Sequence, residues 1–225
     1  MKAIRLLTPR RRPDPAVIAQ LARLLAAGWA QPGLRLATGL VETGWQHELG
    51  EALANLEQGR VSLSEVVAAD LEVLDRAISG QAADELLVEL AAEYAALFQG
   101  PGRALVPAYE CQWLDDPDAS LFVAPSTMAV EAVYRAAGME MSNREPPDSL
   151  AVELEFVGRL ATLEVGTQGP RAVGWRAQRV QFVAEHPARW IEPFCTAVQQ
   201  ATEHGYYAAL ARLTQQVNAA EVLGA

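Results

Sequence analysis

The amino-acid sequence predicts an all-α protein, a single compact domain of about ten helices. Three observations carry this. Apolar residues keep recurring at three- and four-residue spacing, no window shows the sustained alternation that a half-buried strand needs, and capping residues, glycines and prolines mark the ends of the periodic stretches. With 225 residues, 51% of them hydrophobic and 20% charged, the chain can bury most of its apolar surface in one core or two closely packed halves, and no separately composed second domain is visible.

Taken in order, Asp14 followed by Pro15 is a helix start, and Val17, Ile18, Leu21, Leu24 and Leu25 lie on one face of the segment that follows, with Gln20 and Arg23 elsewhere. The preceding residues, 1–13, are expected to form a flexible, solvated tail. A second helix is predicted over Leu34 to Leu56. Ser62 and Glu65 have capping-box spacing, opening a helix through about Ile78 that Ser79 and Gly80 close. Ala82 to Phe98 carries a stripe of Leu86, Leu87, Leu90, Tyr94, Leu97 and Phe98, ended by Gly100-Pro101-Gly102. From Gly100 to Pro125, prolines and glycines recur too often for a long helix, so a loop with at most one short helical turn is expected. Pro125 to Ala137 reads as a helix stopped by Gly138. After a polar, proline-containing connection, Asp148 or Ser149 caps a helix to about Leu163 with Leu150, Leu154, Val157 and Leu160 on its buried side. Three more helices follow over about 170–185, 187–203 and 205–222, with Phe182, Trp190 and Phe194 expected in the core.

The formal net charge of -10 argues against nucleic acid as a partner, because phosphate contacts need a clustered basic face. Cationic ligands fit the sign better. Two distant cysteines, Cys111 and Cys195, form no C-x-x-C, so the simplest setting is a reducing cytoplasm, with Cys111 expected to act as a small buried hydrophobe. His47, His186 and His204 show no ligand spacing, and no metal or other cofactor is expected. Gly100-Pro101-Gly102 is not followed by G-K-[ST] and opens no strand–helix unit, so nucleotide binding lacks support. Arg10, Arg11 and Arg12 superficially suggest an export signal, but Pro13, Asp14 and Pro15 follow at once and the next apolar stretch is amphipathic, so neither export nor stable membrane insertion is expected.

The chemistry-bearing residues gather at two loops. Phe98, Pro107, Tyr109, Glu110 and Trp113 belong to the first, and Glu145, Asp148 and Ser149 to the second. Rings beside carboxylates suit an extended cationic peptide, and the acids Glu153 and Glu155 just downstream add to the local negative field. Tyr109 and Trp113 might equally cover the core beneath their loop, and the acids might only cap and solvate a helix start. Two functional classes compete with peptide binding. A hydrolase-like enzyme would use Glu145 and Asp148 as an acid–base pair, one with a raised pKa in a closed pocket, whereas peptide binding requires both to be ionised and reachable. An adaptor would instead use its helix faces to bind a folded partner.

The segments YAALFQGPGRALVPAYECQW, Tyr94 to Trp113, and EPPDSLAVELEF, Glu145 to Phe156, supported by HPARWIEPF at His186 to Phe194, resemble the TorD/DmsD family of cytoplasmic redox-enzyme maturation chaperones. The resemblance spans about the C-terminal three-fifths of the chain. It implies an all-helical chaperone, monomer or homodimer, that is not an enzyme. Its implied partners are the twin-arginine leader and the apo form of a molybdoenzyme catalytic subunit, whose export is withheld until cofactor insertion. It further implies that Tyr109, Glu110 and Trp113 line a groove and that Glu145 and Asp148 form its acidic part. Ser149 stands where the family commonly has histidine, which removes a ring that titrates near neutral pH.

Overall fold

A computed structural model describes residues 12–42, 44–56, 64–100, 104–115, 121–140, 145–202, 205–219 and 222–224, with the side chains of 64–66 excepted. Most of the expected N-terminal tail, the proposed Ser62 to Glu65 capping box, Pro101 with Gly102, and His204 lie outside the described residues. Eleven helices are present among those described: α1 (Pro15–Trp29), α2 (Leu34–Glu42), α3 (Trp45–Leu56), α4 (Ser64–Ile78), α5 (Ala83–Phe98), α6 (Cys111–Leu114), α7 (Pro125–Ala136), α8 (Leu150–Val165), α9 (Pro170–Glu185), α10 (Pro187–Ala201) and α11 (Tyr206–Ala219). No strand is described, and the β-type pairing is a single antiparallel bridge between Tyr109 and Ser149. None of the described helices is long and apolar enough to cross a membrane.

The predicted helix over Leu34 to Leu56 is in fact two. Gly44 adopts φ +70°, a left-handed conformation that ends one helix and turns the chain into the next, and hydrophobic periodicity on both sides conceals such a break. Asp14 caps α1 as expected, its carboxylate accepting from the Ala16 amide. Of the two candidate caps for α8, Ser149 takes the position, its Oγ accepting from Val152 N at 3.4 Å, and Asp148 is used elsewhere.

The most extensive helix pair is α1 with α8. Trp29 lies by Leu150 and Ala151, and Ala16 by Thr162 and Val165, so the two helices run antiparallel. At Gly28 a methyl group would come within 3.1 Å of the Tyr206 hydroxyl and Leu210, so glycine lets α1 approach α11 closely there. Two aromatic clusters make up much of the core beneath the loops. Trp29, Tyr94, Phe98, Phe194 and Tyr207 pack with neighbouring ring centroids 5.0 to 6.2 Å apart, and Tyr134, Phe156 and Phe182 pack at 4.4 to 5.8 Å. Phe182, Trp190 and Phe194 are buried, as the sequence predicts. Arg179, itself buried, ties α9 to Glu164 of α8 at 2.9 Å and to the carbonyl of Leu223 near the C-terminus.

Candidate functional site: two crossing loops

The two loops hold each other through their backbones. Glu110 N donates to Asp148 O at 2.8 Å and Leu150 N to Ala108 O at 3.1 Å, flanking the Tyr109–Ser149 bridge. Asp148 adds a side-chain clamp: its Oδ2 accepts from Cys111 N at 3.0 Å, supplying an acceptor at the start of the short helix α6. From below, Tyr134 donates its hydroxyl proton to Pro147 O at 2.9 Å, and Val106 N donates to Leu97 O at 2.9 Å. Thus backbone groups in a region rich in proline are paired without a regular strand.

Under this crossing lies a cluster of buried ionisable groups. Glu110, 1% exposed, accepts at 3.1 Å from Nδ1 of His186, which occupies the break between α9 and α10. Glu153, fully buried on α8, accepts from Trp190 Nε1 at 3.1 Å. Burial first, and the neighbouring Glu110 carboxylate second, hold the Glu153 carboxyl well above the usual carboxylate range. Such a group is carried as a neutral acid, able to donate its proton to Glu110. Burial likewise raises Asp148, with the bonds from Cys111 pulling partly the other way. Burial pushes the Cys111 thiol up to about 12, so it sits as an unreactive thiol, in line with the sequence expectation of a small buried hydrophobe.

The sequence-predicted site residues therefore divide. Tyr109, Trp113 and Glu145 are half-buried and face outward in part. Glu145 and Tyr109 meet Trp29, Tyr94, Phe98, Ala108 and Ser149 at a small cleft of about 10 Å³, room for about one water molecule. Burial, then the Glu145 and Asp148 carboxylates, raise the Tyr109 phenol, so it stays protonated beside them. Trp113 is anchored by its Nε1 donating to Pro107 O at 2.8 Å, with its ring edge-on to Phe194 at 6.3 Å. By contrast Phe98 is 5% exposed within the aromatic core, and Pro107 is buried. Glu110 and Asp148 do not present reachable carboxylates: Asp148 is 0% exposed and Glu110 is paired beneath the loop. The reachability that peptide binding was expected to need is unmet at both, because each side chain satisfies a buried donor instead of facing solvent.

Asp148 has the raised pKa expected of a general acid, but it does not line the cleft, and its carboxylate is bonded to the Cys111 amide. It is built as a clamp between loops. Among the described residues no group of three or more His, Cys, Asp or Glu side chains has the arrangement of a metal site.

Sequence reading missed Glu153, His186, Trp190 and Tyr134 as a connected support. For Glu153 a signal existed: it falls on the same α8 face as Leu150, Leu154 and Val157, where a carboxylate must be buried. For His186, 76 positions from Glu110 in the chain, no local pattern announces the pair.

Fold and site together define an all-helical protein that presents a braced two-loop surface. A family model described as the nitrate reductase delta subunit matches residues 61–196, more than half of the chain, and the chain belongs to this family, which includes the TorD/DmsD redox-enzyme maturation chaperones. Curated relatives include the chaperone protein TorD of Shewanella pealeana, 28% identical over 65% of this chain and 65% of its own length, and that of Shewanella piezotolerans, 25% identical over 75% and 77%. The TorD chaperone of Vibrio cholerae is 28% identical over 68% of each. The chain thus spans just under two thirds of the first of these relatives. A crystal structure from Archaeoglobus fulgidus, described as a redox enzyme maturation protein, shares the fold at a TM-score of 0.50 and 16% identity, covering 94% of this chain and 96% of its own.

Proposed function

We propose that this protein is a maturation chaperone that binds the twin-arginine leader of a molybdopterin-dependent oxidoreductase in the cytoplasm and holds its apo catalytic subunit until the cofactor is inserted. Family membership supports the class of activity. The observation that carries the leader-binding reading is the pairing of Glu145 with the Tyr109 ring on the outer side of a loop crossing whose inner side is locked. A guanidinium suits that pair: the carboxylate accepts two parallel N–H bonds, and the phenol ring offers a face for stacking. The overall charge of -10 steers a cationic peptide toward the surface, and Trp113, half-buried at the loop's edge, supplies apolar contact. Phe98, Pro107, Glu110, Asp148 and Ser149 act from beneath in this reading, fixing the loops so that little ordering is lost on binding. No catalytic step is assigned.

The test is calorimetry with a synthetic peptide carrying paired arginines followed by an apolar run. Micromolar or tighter binding is expected, with the arginine-dependent part weakening as salt rises. Equal affinity for a scrambled peptide of the same composition overturns specific leader recognition.

A further inference from the structure

The largest described concavity is not at the loops. It is a groove of about 510 Å³ between α3 and α4, lined by Gln46, Gly50, Leu53 and Ala54 on one wall and by Ala68 and Leu71 among others on the second. This volume falls within the range of ligand-binding sites. On α3 the lining residues follow one helical face, and the eight residues from Gln46 to Ala54 give the groove a length of about 12 Å, two turns of a helix. Ala54 and Ala68 are exposed, so the floor is small and apolar and leaves room for larger side chains. The rim is acidic. Glu51 and Asp75 line the groove, with Glu48 and Glu72 exposed on the same two helices and His47 held to Glu51 at 3.4 Å. An apolar trough edged by carboxylates complements an amphipathic helix with apolar anchors at i, i+4 and i+7 and flanking cations.

The groove also begins close to the loop cleft. Trp29, which lines the cleft, touches Tyr207 at 6.2 Å, Tyr207 touches Tyr206 at 5.0 Å, and Tyr206 touches Trp45 at 6.3 Å, next to the groove residue Gln46. A helix of about fifteen residues, ~22 Å long, spans such a separation. Resting on the leader-binding reading above, we infer that the α3–α4 groove takes the apolar run of the client leader in helical form, while Glu145 and Tyr109 take its arginines. The α3 wall precedes residue 61, where the family match begins, so this half of the recognition is a feature in which chaperones of the family can differ by client.

Two synthetic peptides separate the subsites: a long one with paired arginines and a following apolar run, and a short one that stops after the arginines. Ala54→Arg and Ala68→Arg, both at exposed positions, place bulk and positive charge in the groove. They should weaken the long peptide about tenfold or more and leave the short one within about twofold, a difference far outside the usual scatter of surface substitutions. Glu145→Gln should weaken both peptides. A photo-crosslinker in the middle of the apolar run, used on the unmodified protein, should label residues of α3 and α4, and this decides the matter if either arginine variant fails to fold. Unchanged long-peptide affinity in folded variants, or labelling confined to other helices, overturns the groove assignment while leaving the Glu145 reading intact. Failure of the long peptide to bind the unmodified protein overturns both.

Discussion

The inner and outer faces of the crossing loops use the same residue types for different ends. On the inner face Glu110, Asp148 and Glu153 are buried, each accepting from a fixed donor, His186, the Cys111 amide or Trp190. On the outer face Glu145 stays half-exposed beside Tyr109, three residues before Asp148. A buried carboxylate is worth what its partners satisfy, and losing one partner strands the other, whereas a half-exposed carboxylate is screened by water and remains free for a ligand. Position in the fold, not residue type, separates structure from recognition here.

The contrast is broken most severely by Glu110→Ala, which leaves His186 buried without its acceptor. We expect a loss of about 3 to 5 kcal/mol of stability, read as a large fall in Tm, with the loops no longer braced. A fall of less than a few degrees would show the inner pair to be dispensable. Next in size is Trp113→Ala. Because its ring packs on Phe194 and its N–H is bonded to Pro107 O, about 2 to 3 kcal/mol of stability should go with it, below the range for a fully buried Trp. Chemical denaturation measured together with peptide affinity would divide its structural share from its share in binding.

The inner face also makes a prediction in pH. Glu153 is raised in the folded state above its ordinary value of 4.5, so the folded protein holds a proton that the unfolded chain releases above that pH. Its contribution is fully present below about 4.5 and is lost as pH rises through the folded-state value, with a slope of at most about 1.4 kcal/mol per pH unit. Glu153→Gln keeps a neutral acceptor for Trp190 and should flatten the alkaline side of the stability profile, making the variant at least as stable as the natural chain at pH 8. An unchanged slope in denaturation midpoints across pH 5 to 9 would mean that another group carries it.

The smallest expected effect sharpens the outer face. Glu145→Gln should leave stability within about 0.5 kcal/mol, as for an ordinary surface substitution. It should also weaken a peptide with paired arginines by about 1 kcal/mol, the upper end for an exposed ion pair, and barely alter one with glutamines in their place. A double-mutant cycle between Glu145 and the peptide arginines measures the coupling, and a value near zero would place arginine reading elsewhere.

Much of the fold was legible in the sequence because helices are local objects. Periodicity in α5 and α8, Asp14 before Pro15, and the His186-Pro187 break each report on a few adjacent residues, and those elements appear close to where they are expected. The membership of the two loops in a site was legible as well, from rings and acids in loops that interrupt a helical chain. What each acid does there was not. Glu110 becomes a support because His186 arrives from 76 residues away, Asp148 becomes a clamp because a bridge between Tyr109 and Ser149 brings it to the Cys111 amide, and Glu145 stays available because no such partner reaches it. The split at Gly44 and the α3–α4 groove were likewise decided by the tertiary structure. Periodicity tells which face of a helix is apolar, but a carboxylate's role depends on the donors and the solvent that packing brings to it, and those come from distant parts of the chain.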